Sequence, residues 1–274
     1  MKAYFHKTFV LERDNIAKIL AFVSTNPTAD RQLIAEHTGI GIGKNVSDGK
    51  VRPTIQYAVY AGLLTPESSD NKSPITLTEQ GSLMFENDPR LKSRVTQWAM
   101  HYFLCREENE ALVWSYFVHR FVPAHQQFDG ETLSEGLRSN FVDLSEGGIA
   151  DYRRILTSCY VDGNGLAKVG LIESHERNKY LRGRASYPNA SLAAYLLAEL
   201  WEAKHPDRAM VGADVLMLPG HFATTLNLST GDVQHVLDDM TAAGFIRQSR
   251  EAPPYQVIRQ WNDKYELLRR AYDE

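Results

Sequence analysis

Residues Asp14 to Gly81 follow the order helix, helix, helix and hairpin, and this order restricts the fold more than any other feature of the sequence. Apolar residues from Ile16 to Val23 recur at helical spacing, with Asp14 as the expected N-cap of the first helix. The pattern predicts a winged helix-turn-helix. Helix-turn-helix units commonly place their last helix in the major groove of a DNA duplex.

The remaining elements of this segment are marked by local signals. Thr28 is the expected N-cap of a second helix. Glycines at 39, 41 and 43 then break the chain, and a third helix follows them, with Val51, Ile55 and Val59 on one side. Gly62 should end the third helix, because glycine readily adopts the left-handed conformation that follows a helix C-terminus. Residues 63–78 then form two short apolar runs around a polar turn, which predicts a β hairpin.

A weak internal repeat is the second informative feature. The string Ala-Gly-Leu-Leu at 61–64 is similar to Val-Gly-Leu-Ile at 169–172 and to Ala-Gly-Phe-Ile at 243–246. In the last copy Ser229 caps an amphipathic helix, and we expect a winged-helix-like module there. The middle copy predicts a hairpin without a clear three-helix precursor, and a chance recurrence of a common helix-Gly-strand pattern is the alternative for that copy.

The predicted fold is mainly α with small β hairpins, in three domains. An N-terminal winged helix-turn-helix occupies residues 1–88, and a helical middle domain with a candidate β hairpin occupies 89–205. A C-terminal winged-helix-like module occupies 206–274. The aromatic-rich stretch 98–121 is interpreted as core, and a partner-binding face is the alternative if some of its rings are exposed.

Composition excludes several classes of protein. The net charge of −4 and the pI near 6.2 argue against a large, sequence-blind nucleic-acid surface, although they permit a local basic face. No apolar run is long enough for a membrane helix, and the N-terminus lacks the apolar region of a signal peptide. Cys105 and Cys159 are expected to be reduced, partly buried thiols, as in a cytoplasmic protein.

The third helix of the first module is the candidate recognition helix. Arginine and lysine contact phosphate or guanine, asparagine and glutamine pair with adenine, and hydroxyl groups contact the backbone. The alternative is that these are ordinary solvated residues of a protein-binding module. In the last module, Asp232, Asp238 and Asp239 would repel a duplex, which favours a structural or protein-binding role there. The candidate DNA contacts are Lys44, Asn45, Ser47, Lys50, Arg52, Thr54, Gln56 and Tyr57, with Lys72 at the wing tip.

No catalytic, cofactor or metal motif is recognised. The glycine-rich stretch 39–44 lacks P-loop spacing, because Thr38 occupies the first glycine position and Asn45 follows the lysine. His101 and Cys105 stand four residues apart on a predicted helix, but they lack the paired spacings of a zinc site. We interpret them as core or surface residues, and we expect no metal and no catalytic residue.

The sequence also resembles a known family. Six segments carry the resemblance: 5–9 (FHKTF), 77–81 (LTEQG), 88–91 (DPRL), 96–102 (TQWAMHY), 114–117 (WSYF) and 194–197 (AYLL) with Trp201. They are similar to the bacterial proteins grouped as domain of unknown function 4007. Members of that family are often encoded beside sulfur-transfer enzymes of DNA phosphorothioation and other phage-defence genes. The resemblance therefore implies a DNA-linked role and supplies no catalytic residues.

Together these features predict a non-enzymatic DNA-binding accessory factor of a bacterial DNA-modification or phage-defence system. Its partners would be double-stranded DNA and proteins of that system, and a twofold dimer would suit paired half-sites. The alternative is a protein–protein adaptor that docks a modification enzyme or nuclease without contacting DNA.

Overall fold

Three consecutive segments of the chain fold into similar units. The second and third have the order helix, strand, helix, helix and hairpin, and the first has three helices followed by a single antiparallel bridge. The molecule is mainly helical, with small antiparallel sheets of three strands. The computed structural model describes residues 5–41, 49–66, 74–184, 187–251, 253 and 255–274.

The first unit contains three helices and a minimal sheet. Leu64 and Leu77 form an antiparallel bridge, and the amide of Ile75 donates to the carbonyl of Ala29 at 3.1 Å. The chain around Ile75 and Leu77 therefore lies between the other two segments, as the central strand of a sheet does. The helices of this part are α1 (Arg13–Thr25), α2 (Arg31–Thr38), α3 (Val51–Tyr60) and the following α4 (Glu79–Asn87).

Two predicted helix caps in this unit were wrong. Glu12 is the N-cap of α1, so Asp14 lies within the first turn. The Arg13 amide donates to the Asn164 carbonyl at 2.9 Å, which holds the chain at the helix start. Asp30 is the N-cap of α2, where its carboxylate accepts from a backbone amide, and Thr28 lies outside the helix.

The second unit follows α5 (Arg94–Cys105). Its strands pair antiparallel in the order β1-β3-β2, so the last strand is central. The middle copy of the sequence repeat thus has the three-helix precursor that the sequence did not reveal. The elements are α6 (Leu112–Tyr116), a π-helical turn (Phe117–Phe121), α7 (Val122–Ala124), β1 (Gln127–Asp129), α8 (Gly130–Asn140), α9 (Glu146–Val161), β2 (Ile172–Glu176) and β3 (Lys179–Arg182).

The third unit repeats the arrangement, with strand order β4-β6-β5. Ser229 is the N-cap of its third helix, as predicted, and forms a capping box with Asp232. The elements are α10 (Ala190–Lys204), β4 (Met210–Gly212), α11 (Phe222–Thr225), α12 (Thr230–Ala242), β5 (Ile246–Ser249), β6 (Gln256–Arg259) and the closing helix α13 (Lys264–Asp273).

The glycines of the sequence repeat occupy the same structural position in each unit. Gly62, Gly170 and Gly244 have φ angles of 75°, 66° and 78°. Each lies between the third helix and the first strand of its hairpin. This left-handed conformation is costly for residues with a Cβ atom, which explains why glycine recurs there.

One cluster of buried apolar side chains runs through all three units. Trp98, Trp114 and Trp201 are fully buried within it. The prediction that the stretch 98–121 forms core is confirmed for most of its rings, and Tyr116 is partly exposed. The three units are therefore packed around a shared interior.

Candidate nucleic-acid interface

Helix α3 is the third helix of the first unit and carries most of the predicted DNA contacts. Val51, Ile55 and Ala58 are fully buried on its inner face. Its exposed or half-exposed residues form one narrow stripe along the helix. That stripe consists of Arg52, Gln56, Val59 and Tyr60.

Residues 5–12, here called the N-terminal segment, cover the neighbouring face of α3. The Tyr57 hydroxyl donates to the Phe9 carbonyl at 2.9 Å, and the Phe5 ring contacts the Tyr57 ring edge-on with centroids 5.2 Å apart. Tyr57 is only 1% exposed as a result. Because the hydroxyl is desolvated by burial, the pKa of Tyr57 is raised well above its usual value.

The opposite side of the N-terminal segment packs on α9, the third helix of the second unit. The His6 ring contacts the Tyr152 ring edge-on with centroids 4.5 Å apart. The Arg154 guanidinium donates to the Thr8 carbonyl at 2.6 Å. The segment therefore lies between the third helices of two units and joins them.

Lys50 lies at the start of α3, where it is paired with a carboxylate. Its Nζ is 2.5 Å from the Glu12 carboxylate and 5.9 Å from the centroid of the Phe9 ring. The carboxylate of Glu12 offsets the attraction of the Lys50 ammonium group for a phosphate. Arg52, two residues further along, is exposed and has no hydrogen-bond or ion-pair partner among the residues that the structure describes.

The predicted contact residues divide into three groups. Lys50, Arg52 and Gln56 lie at the surface. Thr54 and Tyr57 are buried, so the expectation that they point towards a duplex was wrong; the Thr54 hydroxyl donates back to the Lys50 carbonyl at 2.8 Å. Four predicted contacts lie outside the described residues: Lys44, Asn45, Ser47 and Lys72.

Sequence reasoning missed the cations of the second unit. Arg154 is about half exposed on α9, and its guanidinium lies 3.7 Å from the Asp151 carboxylate. Arg153, the preceding residue, is partly exposed. The middle copy of the glycine repeat was the signal that could have identified α9 as a helix equivalent to α3.

The corresponding helix of the third unit, α12, presents carboxylates. The Asp238 carboxylate accepts hydrogen bonds from the side chains of Gln234 and Gln248, at 2.8 and 2.9 Å, and also from Arg250. Arg250 on the hairpin is thereby neutralised. This agrees with the sequence-based view that α12 is poorly suited to a duplex.

A groove begins at the C-terminal end of the exposed stripe on α3. It consists of two adjoining depressions of about 530 and 350 Å³ that share Gln80, Phe103 and Arg106. We call it the Arg106 groove. Its other lining residues are Gln56, Val59, Tyr60, Gly62, Leu64, Pro66, Thr78, Glu108, Asn109 and Glu110 in the first depression, and Glu199, Glu202, Ala203 and Lys264 in the second.

The residues considered for a zinc site belong to the core. His101 is hydrogen-bonded to the Tyr160 hydroxyl at 2.8 Å and to the Thr225 carbonyl at 3.0 Å. Burial lowers the pKa of His101 to about 4. Cys105 and Cys159 are free and fully buried, whereas partial burial was expected. Within the described part of the chain, no three His, Cys, Asp or Glu side chains are grouped so that they could hold a metal ion.

The chain is similar to one family model and to two solved structures. The family model, described as "Protein of unknown function (DUF4007)", matches residues 4–152. The structure titled "SspB crystal structure" has a TM-score of 0.76 and 19% identity, covering 98% of this chain and 87% of that chain. "Magnesium ion-bound SspB crystal structure" has a TM-score of 0.75 and 17% identity, with the same coverage.

At these identities the likeness concerns the fold alone. None of the curated proteins matches this chain. None of the described helices is both long and apolar enough to span a lipid bilayer.

Proposed function

This chain belongs to the DUF4007 family of proteins of unknown function, and we propose that it is a DNA-binding accessory factor of a bacterial DNA-modification or phage-defence system. In this proposal it has no enzymatic activity of its own, and its units are winged helices. The order helix, strand, helix, helix and hairpin, with the last strand central, supports that interpretation of the second and third units, and the three helices with the Leu64–Leu77 bridge support it for the first.

The observation that carries the proposal is the placement of arginines on two third helices that the N-terminal segment joins. Arg52 is exposed on α3 without a described partner. Arg154 is half exposed on α9, where its Nη2 also donates to Thr8 and lies 3.7 Å from the Asp151 carboxylate. In helix-turn-helix proteins this helix enters the major groove, and arginine contacts both phosphates and guanine there. The segment holds the two helices in one fixed arrangement, since it contacts both.

The structure narrows the set of residues that should contribute to affinity. The buried Thr54 and Tyr57 cannot contribute, and Lys50 contributes little because Glu12 neutralises it. Arg52 then becomes the described residue of α3 from which most of the electrostatic affinity is expected. Each phosphate contact contributes about 0.9 to the slope of log K against log salt concentration.

The test is a salt titration of duplex binding followed by fluorescence anisotropy of a labelled 20-base-pair duplex. Arg52→Ala should weaken binding and lower the magnitude of the salt slope by about 0.9. Arg250→Ala is the matched control, because that arginine is also exposed but is paired with Asp238. An unchanged slope and affinity in Arg52→Ala would remove the assignment.

A second candidate function, a protein–protein adaptor, is favoured by the Arg106 groove. Its walls combine apolar side chains with carboxylates, which is unlike a surface for DNA phosphates. A pull-down that retains its partner after nuclease treatment, together with no gel shift by the isolated protein, would support this function over DNA binding.

A further inference from the structure

We propose that the Arg106 groove binds an extended, basic segment of a partner protein. The two depressions of the groove share one wall and continue from α3, past the end of α5, to α10 and α13. Their volumes fall within the range of ligand pockets, about 300–1,000 Å³. An elongated groove that crosses from the first unit to the third matches an extended chain better than a compact ligand.

Arg106 lies at the centre of the groove, and part of its guanidinium group makes no hydrogen bond to a described residue. Its guanidinium lies 5.8 and 5.7 Å from the ring centroids of Tyr102 and Phe103, and its Nε is 3.4 Å from the Glu108 carboxylate. The two terminal nitrogens make no hydrogen bond to any described residue. These N–H groups suit carbonyl oxygens, which accept but do not donate.

Gln80 supplies a second donor on the shared wall. Its Oε1 accepts from the Tyr265 hydroxyl at 3.4 Å. In this orientation the amide nitrogen has no acceptor among the described residues. Arg106 and Gln80 can therefore receive main-chain carbonyls of a segment that lies along the groove.

The charge of the lining selects a basic segment. Lys204, just outside the groove, pairs with Glu107 at 2.8 Å and lies 3.5 Å from the Glu108 carboxylate, so it offsets part of the negative charge at that end of the groove. A net negative groove attracts lysine and arginine side chains and repels a phosphate backbone. Among the residues that the structure describes, the charged lining consists of four carboxylates, Glu108, Glu110, Glu199 and Glu202, and two cations, Arg106 and Lys264.

The individual carboxylates differ in their availability. Glu199 is 6% exposed and pairs with Lys264 at 2.9 Å, so it is committed to the junction of α10 and α13. Glu202 also contacts Lys264, at 2.7 Å, but is about half exposed. Glu110 accepts from the Tyr60 hydroxyl at 3.0 Å and is exposed at the opposite end. Glu110 and Glu202 are thus exposed acids at the two ends of the groove.

The occupant also needs apolar side chains. Val59, Leu64, Pro66 and Phe103 form the apolar part of the first depression. A segment with alternating basic and apolar residues would place its apolar side chains there and its cations near the acids. This inference does not depend on DNA binding, because none of these residues belongs to the proposed duplex contacts except the neighbouring Gln56.

The experiment pans a phage-displayed library of linear 12-residue peptides on the full chain, and then measures binding of a labelled enriched peptide by fluorescence anisotropy. Enriched peptides should carry at least two lysines or arginines. We expect Arg106→Ala and Gln80→Ala each to raise the Kd about tenfold, and Glu110→Gln with Glu202→Gln to raise it about fivefold. Glu86→Gln, an exposed acid on α4 outside the groove, is the matched control and should change the Kd less than twofold.

Several results would overturn the inference. These are the absence of any enriched peptide, enrichment of acidic peptides, or binding that the groove variants leave unchanged. If Arg106→Ala instead weakens duplex binding and leaves peptide binding intact, the groove belongs to nucleic acid. Should Arg106→Ala fail to fold by circular dichroism, Gln80→Ala decides the question, because that side chain is half-buried and its amide nitrogen supports no described contact.

Discussion

Gly62 lies so close to the ring of Phe103 that a Cβ atom at position 62 would be 2.6 Å from the ring's Cγ. The equivalent glycine of the third unit, Gly244, has nothing within 4 Å of the same position. The two residues share almost the same φ, 75° and 78°. A side chain added at Gly244 would therefore incur only the free-energy cost of a left-handed backbone, whereas one added at Gly62 would also incur the cost of steric crowding against Phe103.

Replacement of each glycine by alanine tests this difference. Gly244→Ala should lower the free energy of unfolding by about 1–2 kcal/mol, the cost of a side chain in the left-handed region. Gly62→Ala should cost a further 1–3 kcal/mol, roughly the penalty for overpacking a core. Urea denaturation followed by circular dichroism measures both values. Equal losses in the two variants would contradict the close packing at Phe103.

Arg13 binds the first unit to the end of α9, and its removal should be strongly destabilising. Its buried guanidinium donates to the Leu91 carbonyl at 2.6 Å and also to the carbonyls of Gly163 and Gly165. Arg13→Met keeps the bulk but leaves three carbonyls without these donors. We expect a loss of about 3 kcal/mol or more in the free energy of unfolding, since one hydrogen bond to a charged group contributes about 1.5–3 kcal/mol.

Arg90→Met is the control for this change, because Arg90 is an exposed arginine next to the same loop. It should alter the free energy of unfolding by less than about 0.5 kcal/mol. A similar small effect of Arg13→Met would show that water replaces the guanidinium without cost.

The stability of the protein should fall as the pH decreases from about 6.5 to 4. Burial lowers the pKa of His101 and that of His119 to about 4, whereas an unfolded histidine titrates near 6.5. Between these values the unfolded chain binds the extra protons, so acid favours unfolding. Each ring should lower the free energy of unfolding by about 1.4 kcal/mol per pH unit in that window.

Urea denaturation at pH 7, 6 and 5 measures this slope. His119→Gln should reduce the slope by about one proton's contribution, and His175→Gln, at an exposed position on β2, should leave it unchanged. The same slope in all three proteins would contradict the assignment of neutral, buried rings.

The two thiols should be unreactive in the folded protein. Burial raises the pKa of Cys159 to about 12 and raises that of Cys105 as well. The thiolate is the reactive form, so Ellman's reagent at pH 8 should modify neither cysteine until urea is added. Two equivalents should then react, because the chain has two cysteines. Rapid reaction without urea would show that a thiol is accessible.

Local patterns in the sequence were sufficient for most elements of the fold. The spacing of apolar residues located α1, α3 and α12, and the glycine repeat marked the start of all three hairpins. The middle copy was harder to interpret because its first helix is interrupted by a π-helical turn at Phe117–Phe121. That turn changes the spacing on which periodicity arguments depend.

The candidate interface was less accessible to sequence reasoning. Helical periodicity identified the face of α3 that contains Val51 and Ile55, but α3 has a second buried face. Tyr57 is covered by residues that lie 48 positions away in the chain. Lys50 is neutralised by Glu12, 38 positions away. Contacts at such separations leave no local signature, and they decide which polar side chains remain available to a ligand.

The contacts of the N-terminal segment restrict the order in which the protein can fold during its synthesis. Thr8 and Arg154, which are bonded in the finished fold, are 146 positions apart. A ribosome adding about 5–20 residues per second takes roughly 7–30 seconds to make that stretch. Throughout that interval residues 5–12 have no α9 to pack on. Tyr57 is therefore sealed from water only after the second unit has emerged from the exit tunnel.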